Sequence, residues 1–300
     1  MADMKLGMVG YGEVGEIFAQ GLKGKPGVAS ISAWDLKFAN TALSEQERAR
    51  ADQAGIASVL GITALCTDTD LIISAVTASN TLAVAEEAAP YIRPEAIFLD
   101  LNSASPGTKQ HAAAVIEKAG AHYVEAGVMT SVPPYGIAVP MLLGGQKAEW
   151  LGEILRGWGM NARVVAPEIG VASAIKMCRS IMIKGLEALV VESYSTARHY
   201  GVEDYVLPTL VETFPQIDWA AQGGYFFSRV VQHGKRRAEE MRESARTVNE
   251  AGFPPMMASA IAEKQDWVAG LARQGVFNGV QKDAPWQDYA DRLIQHFGSK

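Results

Sequence analysis

Short apolar runs alternate with amphipathic stretches through the first half of the chain. Residues 5–9, 29–34, 70–76, 96–100, 122–126 and 138–143 are apolar runs bounded by turn residues, which predicts strands buried within a sheet. Between them, apolar positions recur at helical spacing. Helices are predicted over residues 17–22, 44–54, 82–89 (stopped by Pro90), 106–118 and 147–156, with Ser105 as the N-cap before Pro106. Strands alternating with helices imply an α/β fold built on a doubly wound, mainly parallel sheet. Ligands of such sheets bind beyond the carboxyl ends of the strands. Here those ends are Gly10, Asp35, Val76-Thr77, Asp100-Leu101-Asn102-Ser103 and Ala126-Gly127.

The pattern changes after Pro167. Residues 170–200 read as one helix, interrupted only by Gly185, and about 30 helical residues span roughly 45 Å. Helices follow over residues 206–214, 225–251, 255–272 and 285–297, separated by Pro215, Gly252-Phe253-Pro254-Pro255 and residues 275–283. The expected organisation is a Rossmann-type domain over residues 1–167 and an all-helical domain over residues 168–300, joined by the long helix.

The sharpest motif lies where the first strand meets the first helix: Val9-Gly10-Tyr11-Gly12-Glu13-Val14-Gly15. Gly10 permits the tight turn, Gly12 lets a pyrophosphate approach the backbone, and Gly15 lets helix and strand pack closely. The free N–H groups of the helix N-terminus then face the phosphates. Asp35 ends the second strand twenty residues after Gly15, the place for a carboxylate on the adenosine ribose hydroxyls. The loop from Gly10 to Gly15 and Asp35 are therefore predicted to bind a dinucleotide. Asp35 favours NAD, because a carboxylate repels a 2′-phosphate. Lys37, two residues on, keeps NADP open.

Composition narrows the function classes. The 300 residues carry 27 basic and 33 acidic side chains, a net charge of −6. That leaves no basic face for nucleic acid, and the run Lys235-Arg236-Arg237 is too short to make one. Cys66 and Cys178 stand in apolar settings and read as buried free thiols. No signal-peptide profile and no apolar run near the ~18 residues of a membrane span are visible, so a soluble cytoplasmic protein is expected. His111, His122, His199, His233 and His296 are scattered without ligand spacing, which predicts no metal site.

With the glycine loop, the acidic strand end and the long helix in place, the chain resembles the β-hydroxyacid dehydrogenase superfamily, which includes 6-phosphogluconate and 3-hydroxyisobutyrate dehydrogenases. Asp100-Leu101-Asn102-Ser103 resembles the segment that places polar groups against nicotinamide and substrate. Glu125-Ala126-Gly127-Val128-Met129-Thr130-Ser131 aligns with a D-A-P-V-S-G-G substrate loop. Gly170-Val171-Ala172-Ser173-Ala174-Ile175-Lys176 matches a G-x5-K motif whose lysine is catalytic. The resemblance implies cofactor contacts at Val76, Thr77 and Asn102, substrate contacts at Ser103, Met129, Thr130 and Ser131, and general acid/base work by Lys176. Departures are equally plain. Met129-Thr130-Ser131 replaces Ser-Gly-Gly, and Ser180 stands where the family has Asn, preceded by Arg179. The resemblance thus marks a divergent branch with an atypical helical domain.

Bland readings stand beside these. Lys176 fits a snorkelling surface lysine. Asn102 and Ser103 fit a turn leading into the Ser105 cap, and Ser79 fits a helix cap. Thr130, Ser131 and Tyr135 fit a solvated Pro133-Pro134 turn. Arg179 fits either an acid anchor or an ion pair, Arg236 and Arg237 either a solvated helix face or a reach into a neighbouring subunit, and Lys184 a surface charge. Met129, Met141, Trp219, Tyr225, Phe226 and Phe227 fit core better than a wide pocket for an aromatic alcohol. The expected function is an NAD(P)-dependent oxidoreductase acting on a secondary alcohol or carbonyl. Its rivals are imine reduction on the same scaffold and a non-catalytic NAD(H) sensor. A small-molecule substrate and a homodimer are expected.

Overall fold

The computed structural model describes residues 3–39 and 44–298. The chain divides into two compact units, Met1–Met177 and Cys178–Lys300.

The first unit opens with β1 (Met4–Val9), α1 (Glu13–Leu22), β2 (Val28–Trp34), α2 (Leu36–Ala39), α3 (Ser44–Gln53), β3 (Ala57–Ser58) and α4 (Ile62–Cys66). It continues through β4 (Leu71–Ser74), α5 (Thr81–Ala88), β5 (Ile97–Asp100), α6 (Pro106–Lys118) and β6 (His122–Val128). It then runs through β7 (Met141–Gly144), α7 (Ala148–Gly157) and β8 (Ala162–Ala166) into α8 (Val171–Tyr200). The strands form one sheet in the order β3-β2-β1-β4-β5-β6-β7-β8. Every neighbouring pair is parallel except β6–β7.

The two-residue period of the strands explains why the apolar runs are continuous. Leu71, Ile73, Ile97, Leu99 and Val124 pack into one core, while Ile72, Phe98 and Tyr123 pack into another. Successive side chains point to opposite faces, so a sheet covered on both sides needs apolar residues at every position. This is the doubly wound architecture that the pattern predicts. Three details differ. β8 and the two-residue β3 are half-exposed, and β3 is very short, so neither makes a strong apolar signal. β7 starts at Met141, because residues 136–138 form a 3-10 turn.

The second unit is all helical. After its share of α8 come α9 (Glu203–Thr213), α10 (Trp219–Glu250), α11 (Met256–Arg273) and α12 (Trp286–Gly298). Helix α10 begins six residues before the predicted start. The sequence places the break before this helix at Pro215. In the fold, Asp218 caps the helix by accepting from the Ala221 N–H at 3.0 Å. A Cβ at Gly223 would lie 2.9 Å from the Trp286 ring and 2.7 Å from the Tyr194 ring, so glycine there permits close aromatic packing. Tyr194 meets Trp286 edge-on at 4.9 Å, and its hydroxyl donates to the Trp219 carbonyl at 3.0 Å. Among the described residues, no helix is long and apolar enough to cross a membrane.

Candidate active site

The loop from Gly10 to Gly15 is shaped as its glycines require. Gly10 has φ +90°, and a Cβ on it would lie 2.5 Å from the Ala75 carbonyl oxygen. A Cβ on Gly15 would collide with the Gly10 carbonyl. Gly12 differs: a Cβ there would meet nothing within 4 Å. The backbone surface at Gly12 is open, and Gly12 caps α1 with no side-chain bond to the first turn. An open backbone surface at a helix N-terminus fits a pyrophosphate.

Asp35 braces this loop. Its Oδ2 accepts from the Tyr11 N–H at 2.7 Å and its Oδ1 from the Lys37 N–H at 2.9 Å. Arg50 donates to the Tyr11 carbonyl at 3.0 Å, lies 5.7 Å from the centre of the Tyr11 ring and pairs with Glu47 at 2.9 Å. The Tyr11 ring is fully buried and its hydroxyl has no hydrogen-bond partner among the described residues. Burial raises its pKa above the ordinary tyrosine value, with the Glu16 charge adding to it. Glu13 and Lys37 are exposed, and Val14 is half-buried against the core.

The ends of β4 and β5 are tied together by Asn102. Its Oδ1 accepts from the Val76 N–H at 2.7 Å and its Nδ2 donates to Ser74 Oγ at 2.9 Å. Its own N–H donates to Asp100 Oδ1 at 2.8 Å. Asp100 is fully buried with Lys109, whose ammonium lies 2.9 Å from Oδ1 and donates to the Asp100 carbonyl at 3.1 Å. The Tyr123 hydroxyl donates to Asp100 Oδ2. Burial holds Tyr123 well above the ordinary tyrosine pKa, and the Asp100 charge adds to it. Ser105 caps α6 by accepting from the Thr108 N–H at 3.2 Å. Thr77 is exposed, and its hydroxyl accepts from Asn80 at 2.9 Å. Ser79 lies within a 3-10 turn, and Asn80, not Ser79, precedes α5.

Ser103 and Lys176, 73 residues apart in sequence, come together: Lys176 Nζ donates to Ser103 Oγ at 2.5 Å. Both side chains are half-buried. Lys176 stands in the second turn of α8, and the start of that helix is held by Glu125. The fully buried Glu125 carboxylate accepts from the N–H groups of Gly170 at 2.7 Å, Ala172 at 3.0 Å and Ser173 at 3.3 Å. A carboxylate at a helix N-terminus satisfies orphan donors and meets the positive end of the helix dipole. Gly127 lets β6 and α8 touch, since a Cβ there would lie 2.9 Å from the Ala172 carbonyl oxygen. Downstream, the Met129 N–H donates to the Pro140 carbonyl at 2.9 Å. Met129 and Ser131 are half-buried, while Thr130 and Tyr135 are exposed.

In the second unit Arg179 is exposed and forms no ion pair within α8 among the described residues. Ser180 is buried and accepts from Lys184 at 3.2 Å. Lys184, expected as a surface charge, is buried and pairs with Glu240 at 2.8 Å. Arg237, expected on a solvated face, is buried and grips Glu187 through two guanidinium nitrogens. Arg236 does remain exposed. Cys178 is exposed, contrary to expectation, whereas Cys66 is buried and its thiol is pushed up to about 12, chiefly by that burial. Met141 belongs to the core of the first unit, and Trp219, Phe226 and Phe227 to that of the second. Tyr225 is exposed. Among the described residues, no three His, Cys, Asp or Glu side chains are grouped to hold a metal ion.

Sequence reasoning places Asp100 at a strand end and Glu125 at the head of the substrate loop without assigning either a role, and it misses Lys109 and Tyr123. The available signal was two acids in apolar strands, each two residues after an aromatic residue, Phe98 or Tyr123, that faces the core.

Known proteins share the fold of this chain. A conserved hypothetical protein from Sinorhizobium meliloti is 36% identical, covering 98% of this chain and 96% of its own, with a TM-score of 0.77. The fold is shared with 3-hydroxyisobutyrate dehydrogenase from Mycobacterium tuberculosis at 15% identity, with 98% of this chain and 99% of that one covered and a TM-score of 0.70. It is shared too with a reductive aminase from Aspergillus terreus, solved with NADPH, cyclohexanone and allyl amine. That match has 19% identity, 99% and 100% coverage and a TM-score of 0.56. Residues 197–268 match a domain of unknown function, DUF1932. Residues 5–165, more than half of the chain and all of the loop, strand ends and β6 described above, match the NAD binding domain of 6-phosphogluconate dehydrogenase, and the chain belongs to that family.

Proposed function

We propose that this protein is an NAD-dependent oxidoreductase that transfers hydride between the nicotinamide and the carbon of a secondary alcohol or carbonyl, with Lys176 as general acid and base. The observation that carries the reading is the 2.5 Å contact between Lys176 Nζ and Ser103 Oγ, in the unit that also carries the open glycine loop. Bound NAD supplies the hydride acceptor, or donor in the reverse direction. The N–H groups at Gly12 and the first turn of α1 would hold its pyrophosphate. Val76, Thr77 and Asn102 sit at the strand ends that would carry the nicotinamide side. Lys176, as the free amine, takes the alcohol proton; as the ammonium, it donates to the carbonyl oxygen. Ser103 orients the amine by accepting one of its N–H bonds. Met129, Thr130, Ser131, Arg179 and Ser180 are the residues assigned to the substrate.

Asp35 is the basis for NAD over NADP. Each of its oxygens accepts one backbone N–H and keeps a lone pair for a ribose hydroxyl, while its charge opposes a 2′-phosphate. Imine reduction does not require an acid/base lysine at this place, and a sensor does not require one at all, so the Lys176–Ser103 pair favours alcohol and carbonyl chemistry. Two free cysteines fit a reducing cytoplasm. Exposed Met182 and Leu189 on α8 fit a face covered by a second copy of the chain.

Fluorescence titration with NADH and NADPH tests the cofactor. NADH is expected to bind more tightly, and Asp35→Ala to weaken it about tenfold while improving NADPH. Failure of both cofactors to bind at millimolar concentration would end the reading. In a substrate screen with the preferred cofactor, Lys176→Ala is expected to lower kcat by about 10²–10⁴-fold and leave NADH affinity within twofold. An active Lys176→Ala variant would move the assignment to imine chemistry.

A further inference from the structure

We infer that Glu125 is a positioning residue for Lys176: it fixes the start of α8 and thereby holds the amine on Ser103. The inference rests on the reading of Lys176 as the acid/base group, and three observations carry it.

First, Glu125 is a fully buried carboxylate inside a strand, a costly placement unless its oxygens are satisfied. It receives its three N–H bonds from one place, Gly170 and the first turn of α8 that follows it. Second, the next turn of that helix carries Lys176, so any slip of the first turn moves the amine. Gly127, two residues further along β6, removes the side chain that would hold strand and helix apart. Third, Glu125 and Asp100 are register partners on β6 and β5. Asp100 accepts the Asn102 N–H and so shapes the turn that presents Ser103. Two neighbouring buried acids therefore act on the two halves of one contact: Asp100 places the serine and Glu125 places the lysine. A carboxylate needed only to fill the core would not be matched in this way to the backbone of the helix that carries Lys176.

The test does not depend on knowing the substrate. Full-length protein is trace-acetylated with acetic anhydride at one pH, and each lysine is quantified by peptide mass spectrometry against exposed Lys282. In the unaltered protein Lys176 is expected to react slowly, because it is half-buried and held by Ser103. Glu125→Gln removes the charge and presents an N–H to the helix N–H groups. It is expected to raise Lys176 labelling at least fivefold. Glu125→Asp, which keeps the charge on a shorter arm, is expected to restore the rate to within about twofold of the original. Lys109 is the control for general loosening, since it is buried in the same unit on Asp100. A rise confined to Lys176, with rescue by Asp, supports the inference. An unchanged Lys176 rate in folded Glu125→Gln, or a parallel rise at Lys109, overturns it. If Glu125→Gln does not fold, Glu125→Ser, which removes both the charge and the reach to the start of α8, carries the test: a rise at Lys176 alone supports the inference and no rise overturns it. A failure of the unaltered protein to bind NADH would count against the proposed function and leave this result standing.

Discussion

Both units bury ion pairs, but they spend them differently. In the first unit the buried acids speak to the backbone. Asp100 accepts the Asn102 N–H as well as Lys109 and Tyr123, and Glu125 accepts only main-chain N–H groups among the bonds described. In the second unit the buried charges speak to side chains. Arg237 binds Glu187, Gln265 approaches Glu187 at 3.4 Å, and Lys184 binds Glu240 and Ser180. A charge that holds backbone fixes the path of a loop or the start of a helix. A charge that holds another side chain fixes the register of one helix against another, here α8 against α10. The first kind is what a site of defined geometry needs; the second is what a helical assembly needs to choose one packing.

A pair of double-mutant cycles breaks or sharpens that contrast. Removing one partner of a buried pair strands the other, so Lys109→Met and Arg237→Met should each lower stability by about 3–5 kcal/mol in urea unfolding. The doubles should diverge. Glu187→Leu with Arg237→Met removes both charges and strands only the Gln265 amide at the end of a long 3.4 Å bond, so it should recover to within about 1–3 kcal/mol of the original protein. Asp100→Leu with Lys109→Met leaves the Asn102 N–H and the Tyr123 hydroxyl buried without their acceptor. At about 1–3 kcal/mol for each stranded group, it should stay well below the original protein. Equal recovery of both doubles would show that the backbone bonds of Asp100 contribute little, and the proposed division of labour would fail.

The parts of this molecule that were legible in the sequence are those with local causes. The glycine loop announces itself because φ and close approach select glycine at Gly10 and Gly15. The Ser105 cap is written in Ser-Pro at a helix start. The strands β4 and β5 are unbroken apolar runs because both faces of the sheet are covered. Lys176 is marked only by the resemblance of residues 170–176 to a family motif, since its own surroundings read equally as a surface lysine. The rest depends on partners far away in the chain. Arg237 is buried because Glu187 lies 50 residues earlier, and nothing around Lys235-Arg236-Arg237 separates the middle residue from a solvated neighbour or the last one from both. Lys184 needs Glu240 in the same way. The first turns of α10 are not predicted, because the glycine at Gly223 is explained only by Tyr194 and Trp286, which the fold brings against it. Glu125 is legible as the head of a segment resembling a substrate loop but not as a holder of α8, because the N–H groups it binds lie 45 to 48 residues later.

The smallest expected effect uses the cysteines, one in each unit. Cys66 is sealed in the first unit and its thiol titrates near 12 instead of 9, because burial penalises the thiolate and Glu87 adds to it. Cys178 is exposed in the second. A folded-state pKa raised for an acid means that the unfolded chain releases its proton first as pH rises. Above about pH 9, therefore, the unfolded state is favoured progressively until the folded thiol also ionises near 12. The slope contributed by this thiol is at most about 1.4 kcal/mol per pH unit. Tyr11, Tyr123 and Tyr194, whose pKa values are also raised, add their own loss above about pH 10, so the wild-type curve alone does not isolate Cys66. Subtracting the curve of Cys66→Ala does, since the tyrosines are common to both. The difference between the two urea-unfolding curves should be flat below pH 8, grow from pH 9 to 11, and favour Cys66→Ala. Cys178→Ala should track the original protein over the same range. If the two cysteine variants follow the same curve, Cys66 is reached by water at high pH and the sealed core of the first unit opens more readily than its burial implies.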